Sequence, residues 1–310
     1  MDKAKAFAPA TIANAGPGFD VFGLCLERPG DFVEAKRTSE KGVRISAIKG
    51  DSGKLPKDVH KNTAGIAARL VLEQLGANEN GIGVEISLEK NMPLGSGLGS
   101  SGASAVAAAV AVNALFGNKL KREEMVFACA KAEEAVSGFH ADNVAPCLLG
   151  GFVLVKNYSP LSVVRIGCLE NAFFSVAMPD FELSTKKARA VLPKEIPLKE
   201  AISNWANTAL MAHALHTQNV KLFGEAVNDA VVEPRRASLI PGFYDVKKAA
   251  LEAGALGCSI SGAGPSVFCV SDSKANADGA ANAMVEAFAK NGLNGRAVVS
   301  KMNGNGTELL

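Results

Sequence analysis

Residues 93–102, PLGSGLGSSG, strip almost every side chain from the backbone and run straight into the apolar stretch ASAVAAAVAVNALF. Glycine lets backbone N–H groups turn inward and approach a ligand with no β-carbon in the way. A helix starting there adds about half a positive charge and unpaired N–H donors at its N-terminus. Together these make an anion cradle, and phosphate is the usual anion. Ser100 and Ser101 bring hydroxyls to the helix start, able to cap it or to reach a metal bound to phosphate. A tight turn with an N-cap is the plain alternative; the length of the run, set between a strand and a buried helix, favours phosphate.

Two other phosphate signatures are excluded. Gly97, Gly99 and Gly102 satisfy G-x-G-x-x-G, but their strand does not open a βαβ unit, and Glu123 and Glu124 fall in a helix rather than at a strand end. No lysine follows the loop as G-x-x-x-x-G-K-[ST] requires, and neither H-R-D nor D-F-G occurs. Further along, His140, Asp142 and Asn143 crowd together in H-A-D-N, a cluster better suited to a shared polar pocket than to separate surface roles.

The elements that must position these residues follow from hydrophobic period. The runs KAFAPAT, FVEAKRT and VRISAIK read as strands of a sheet in the first 60 residues. NTAGIAARLVLEQLG reads as a helix ending at glycine, and GVEISLEK as a half-buried strand, so the loop joins a strand to an apolar helix over 101–116. Helices over REEMVFACAKAEEAV and ADNVAPCLL and a strand over GFVLVKN come next.

From Phe173 the pattern restarts: strand FFSVAMP, helices through 184–254, strands CSISGAG and SVFCVSD, helix ANADGAANAMVEAFAKNG and strand GRAVVSKM. That series describes a second α+β unit. The boundary falls near 155–172, giving an N-terminal domain over 1–160 and a C-terminal domain over 161–310. Residues 261–266, between two apolar strands, read as a hairpin turn.

Bulk composition supports this division. A chain of 310 residues with 48% apolar and 21% charged content fits about two cored domains. With 33 Lys and Arg against 31 Asp and Glu, the net charge of +2 leaves no footprint for nucleic acid or an anionic membrane, and favours a small-molecule partner. The six cysteines form no C-x-x-C and pair with none of the four histidines at zinc spacing, so they read as buried thiols. The N-terminal residues lack the apolar core of a signal peptide, and the longest apolar run, 103–116, is too short to span a membrane; a cytoplasmic location is expected.

PLGSGLGSSGAS closely resembles the nucleotide-binding motif of the GHMP kinases, the superfamily of galactokinase, homoserine kinase and mevalonate kinase. Two more of its motifs follow in order, resembling APATIANAGPGFDVFG at 8–23 and CSISGAGPSVF at 258–268. Segments SGFHADNVAPCLLGGFVL, STKKARAVLP and EPRRASLIPGF are similar to those of the homoserine kinase branch. Departures are small: Gly102 stands where many members have alanine, Ala15 replaces a common leucine, and the spacer from Ser137 to His140 is one residue shorter than in some relatives.

The resemblance implies an α+β fold of two domains, a ribosomal-S5-domain-2-like N-terminal domain with a left-handed βαβ unit and a ferredoxin-like C-terminal one. It implies transfer of the ATP γ-phosphoryl group to the L-homoserine hydroxyl in threonine biosynthesis, with Mg2+ as cofactor; another alcohol acid such as mevalonate is the alternative substrate. By the same resemblance Asn62 contacts adenine, and Pro93, Gly95, Ser96, Gly97, Leu98, Gly99, Ser100 and Ser101 hold the phosphates.

Ser101 and Glu133 would ligate the metal; counting back from Ser137 favours Glu133, with Glu134 open beside it. Asn14, Asp20, His140, Asp142, Asn143, Arg189 and Arg236 would bind homoserine, the two guanidiniums suiting its carboxylate. Asp142 is either the base on the hydroxyl or the ligand of the ammonium, and with Arg236 and Glu133 makes up the catalytic set. Ser261 and Gly262 would lie beside the phosphate loop. A homodimer is a candidate assembly.

Overall fold

The computed structural model of the chain describes residues 2–77 and 82–310. The first sheet has seven strands. β1 (Lys3–Ala13), β2 (Phe22–Thr38), β4 (Gly83–Glu89) and β3 (Gly42–Lys49) lie side by side in that order, with β5 (Phe152–Tyr158) and β6 (Leu161–Gly167) continuing from β2 as a hairpin. β11 (Glu308–Leu309) returns to the outer edge of β1, so the chain ends on the sheet where it began. Among the described residues only β3 and β4 pair in parallel, and α1 (Thr63–Gln74) lies between them in sequence, which supplies the βαβ unit.

α2 (Ser100–Leu115) packs on β1 and β2 and is flanked by α1 and by α3 (Arg122–Glu134). Its run of alanine and valine has no polar face because it needs none: every residue of α2 except Ser101 is buried. The small side chains let α1 and α3 pack close on either side, fixing the axis of α2 and with it the direction in which its N-terminus points. α4 (Val144–Leu149) follows on from the H-A-D-N cluster.

The second sheet runs β10 (Gly295–Lys301), β7 (Phe173–Pro179), β9 (Val267–Ser271), β8 (Gly257–Ile260), antiparallel throughout. Counted along the chain this is the order fourth, first, third, second, the ferredoxin-like arrangement. α10 (Lys274–Lys290) and α9 (Phe243–Glu252) cover it. α5 (Thr185–Ala190), α6 (Leu198–His216), α7 (Val220–Ala226) and the single turn α8 (Glu233–Arg236) fill the connection from β7 to β8.

The division drawn at 160 falls at the tip of the β5–β6 hairpin, both strands of which belong to the first sheet. On this pairing we place the change of domain between Gly167 and Phe173, within the stretch near 155–172 that the sequence marks. Among the described residues no helix is long and apolar enough to cross a membrane.

Candidate active site

The strand β4, the glycine-rich loop and the start of α2 open onto a cavity of about 390 Å³ between the two domains. The carbonyls of Gly95, Ser96, Gly97 and Leu98 accept from Leu183 N at 3.4 Å, Ser266 N at 3.1 Å, Ser261 Oγ at 2.8 Å and Thr11 N at 3.1 Å. Those of Gly99, Ser100 and Ser101 accept from Ala103 N at 2.8 Å, Lys90 Nζ at 2.8 Å and Thr63 Oγ1 at 3.0 Å. With every carbonyl turned into protein, the amides face the other way, and among the described residues none of the N–H groups from Gly95 to Gly102 has an acceptor. Unpaired donors at a helix N-terminus are the feature that an anion cradle requires.

Glycine is required here by what lies beneath as well as by backbone conformation. Gly97 (φ 83°) and Gly99 (φ 68°) are both left-handed. A β-carbon on Gly97 would run into the carbonyl oxygen of Ser261 and come within 2.8 Å of that of Gly264; one on Gly99 would strike Thr11 Oγ1 and sit 2.6 Å from Asn143 Oδ1. The turn over 261–266 is thus both the β8–β9 hairpin turn and the floor on which the phosphate loop rests. The backbone N–H groups of Gly262 and Ser266 reach Ala13 and Ser96, and Ser261 Oγ reaches Gly97.

At the start of α2, Ser101 Oγ donates to Glu133 Oε2 at 3.0 Å, and Ser137 Oγ reaches the same oxygen at 3.2 Å. Glu133 Oε1 is buried with no partner. Burial pushes the Glu133 carboxyl up despite the two hydroxyls that favour its ionised form. Glu134, one residue on, points to solvent and pairs with Lys131. A serine hydroxyl beside a buried carboxylate oxygen that lacks a donor is a hard-oxygen set that fits Mg2+.

The opposite wall is built of charged side chains. Arg189 Nη2 and Nη1 grip Asp20 Oδ1 and Oδ2 at 2.5 and 3.1 Å, and Nη2 lies 3.2 Å from His140 Nδ1. Arg236, only 2% exposed, donates from Nε to Ala188 O at 3.0 Å and from Nη1 to Gly262 O at 2.9 Å, leaving Nη2 without a partner among the described residues. Phe19 lies between the guanidiniums, 5.0 Å from that of Arg189 and 5.1 Å from that of Arg236. Burial, and then the neighbouring Arg189 charge, bring Arg236 down to about 10, so it stays a cation at neutral pH.

Asp142 is buried, and apart from its own backbone amide its carboxylate has no hydrogen-bond donor among the described residues. Burial first, then the negative charge of Asp20, raise it to about 7, against the pull of Arg189. His140 is pushed down by burial and by Arg189, with Asp20 acting the other way.

Most of the candidate residues thus line one cavity: Asn14, Asp20, Asn62, Gly95, Ser96, Gly97, Gly99, Ser100, Ser101, Glu133, His140, Asp142, Asn143, Arg189 and Arg236. Asn14 (φ 67°) and Asp20 (φ 58°) also make the turn that their spacing suggests, Asn14 Oδ1 accepting from Asp20 N at 3.1 Å. Asn62 likewise caps α1, its Oδ1 accepting from Ala64 N at 3.0 Å. Two residues stand apart. Leu98 is fully buried and offers only backbone, and Pro93 faces a second crevice behind the loop, with Met92 and Met178.

Sequence reasoning missed Phe19, Thr63, Ser137 and above all Lys90. The Lys90 ammonium is buried beneath the first turn of α2, where it pairs with Asp31 and donates to Ser100 O and to Ser104 Oγ at 2.6 Å. Burial pulls Lys90 down while Asp31 holds it up. A signal was present: Lys90 continues the inward register of Val84, Ile86 and Leu88 on β4, and Asp31 that of Val33 and Ala35 on β2.

Known proteins match the chain along its length. Residues 62–151 match the GHMP kinases N terminal domain, and residues 211–290 the GHMP kinases C terminal domain. A homoserine kinase of Chlorobium phaeobacteroides is 45% identical over 93% of this chain and 92% of its own. One of Arabidopsis thaliana is 47% identical over 99% of this chain and 84% of its own. Among solved structures, the homoserine kinase from Cytophaga hutchinsonii superposes with a TM-score of 0.95 at 46% identity, covering 100% of this chain and 98% of that one. The L. major mevalonate kinase, solved in complex with R-mevalonate, shares the fold at a TM-score of 0.71 and 16% identity, covering 96% of each chain.

Proposed function

The chain belongs to the GHMP kinases, and from that premise we propose that it phosphorylates the hydroxyl of L-homoserine with ATP, giving O-phospho-L-homoserine and ADP. The observation that carries the phosphate half of this reading is the unbroken row of unpaired amides from Gly95 to Gly102. The triphosphate lies along those amides, with adenine toward Asn62. Mg2+ held by Ser101 and Glu133 would offset the charge on the phosphates as the γ-phosphoryl group moves. Because the transition state is loose, holding the groups in line and neutralising charge supply most of the catalysis.

The acceptor half is read from which charges are already spent. Asp20 is held by both arms of Arg189, and Glu133 by Ser101 and Ser137, so Asp142 is the carboxylate left for the substrate. A value of about 7 suits a base on the hydroxyl, and its missing partner suits the ammonium. Arg236, with Nη2 uncommitted, takes the carboxylate, and His140, Asn14 and Asn143 fill the pocket around the amino acid.

The test is ADP release with homoserine, mevalonate and galactose supplied in parallel. Homoserine alone should support turnover; mevalonate as the better acceptor would retain the fold and replace the substrate.

A further inference from the structure

Two segments carry the acceptor pocket, 14–20 and 140–143, and besides the charged Arg189 a neutral side chain outside both of them touches each. Tyr158, the last residue of β5, donates its hydroxyl to the Asp20 carbonyl at 2.9 Å and accepts the Ala141 N–H at 3.5 Å. Asp20 sits at φ 58°, a backbone conformation that costs a non-glycine residue free energy and persists only where neighbours hold it. Ala141 lies between His140 and Asp142 in the chain, so its amide fixes the path of both. The ring is itself braced, edge-on to Phe139, which in turn packs edge-on to Phe127. Burial raises the phenol, so it remains protonated and able to donate across the working pH range.

We propose that Tyr158 is a positioning residue for the acceptor: its hydroxyl sets the separation between the Asp20–Arg189 pair and Asp142, and with it the fit of the amino acid, while leaving the nucleotide side untouched. This rests on the homoserine reading above. The phenol reaches no residue of the phosphate loop, and neither Ser101 nor Glu133, so its influence should divide cleanly between the two substrates.

Tyr158→Phe removes the hydroxyl and keeps the ring, its packing and its strand. The steady-state KM for each substrate would be measured for wild type and variant, together with the melting temperature. Losing the two part-buried hydrogen bonds of this hydroxyl should raise the KM for homoserine about tenfold, with the KM for ATP within about twofold of wild type. A general structural role would instead lower the melting temperature and weaken both substrates together, and that result would overturn the inference, as would an unchanged homoserine KM. A wild-type protein inactive on homoserine would reject the substrate reading itself, an outcome read before the variant is compared.

Discussion

The two walls of the cavity recognise charge by opposite means. The phosphate wall offers almost no side chains: a short stretch of chain turns its carbonyls into protein and its amides into the cavity, so recognition is built from backbone. The acceptor wall offers little else but side chains, with Asp20, His140, Asp142, Arg189 and Arg236 drawn from four separate parts of the sequence. A backbone site is robust to the identity of its side chains but intolerant of any β-carbon where peptide planes must lie close. A side-chain site depends on its partners one at a time, and each loss should leave the other wall standing.

The most damaging way to sharpen that contrast is a single methyl group on the phosphate wall. Gly97→Ala forces a β-carbon into the Ser261 carbonyl at a left-handed position, and kcat/KM for ATP should fall at least about a hundredfold, with loss of folded protein as the extreme outcome. Nucleotide titration alongside a melting curve separates the two. Near-normal ATP binding by this variant would break the contrast.

On the acceptor wall, Arg236→Leu should lower kcat/KM for homoserine about a hundredfold while ATP affinity stays within about threefold. Arg236→Lys should not restore it, because a point charge cannot reproduce the fork that also reaches Ala188 and Gly262. Equal loss for both substrates would mean that Arg236 acts through Gly262 on the phosphate loop.

Asp142→Asn comes next and has two readouts. A mainly raised KM for homoserine marks an ammonium ligand, and a collapse of kcat at constant KM marks a base. The second readout is stability. Asp142 ionises at about 7 when folded, against an ordinary value of 3.8, so between those values the unfolded chain gives up its proton first. Stability contributed by this group therefore falls as pH rises from about 4 to about 7. The asparagine variant should be more stable to denaturant than wild type at about pH 8, by on the order of 2–4 kcal/mol, and lose that advantage near pH 4.

The smallest expected effect is at Glu134, where Glu134→Gln should leave activity within about twofold of wild type, whereas Glu133→Gln should raise the Mg2+ concentration needed for half-maximal rate about tenfold. Magnesium titration of the two variants measures both. A stronger effect at Glu134 would move the metal away from Ser101.

The same contrast explains what was legible in the sequence. The phosphate wall is local, so ten consecutive letters announced it, and the strand and helix on either side of it were plain from hydrophobic period. The acceptor wall is assembled by topology. Asp20 meets Arg189 only because the first sheet and the β7–β8 connection face each other, a fact no spacing rule carries, and these residues were found through family motifs instead. Glu133, and not Glu134, is on the face of α3 turned toward Ser101, a fact that the spacing of the two alone does not carry.

Lys90 and Asp31 show a different gap. Their inward register was readable on β4 and β2, but charged residues at strand ends ordinarily face solvent, and pairing them requires knowing that the two strands adjoin. The β5–β6 hairpin was underread because its turn residues resemble a linker, while its partner strand β2 lies more than 100 residues earlier.

The central claim is that the amides from Gly95 to Gly102 hold the triphosphate. Amide hydrogen exchange with and without a non-hydrolysable ATP analogue and Mg2+ measures it directly. The amides of Gly95, Gly97, Gly99 and Ser101, which are not buried, should exchange freely in the unliganded protein and become strongly protected on binding, while the hairpin over 261–266 changes little. Saturating analogue that leaves the exchange of this loop unaltered would contradict the account.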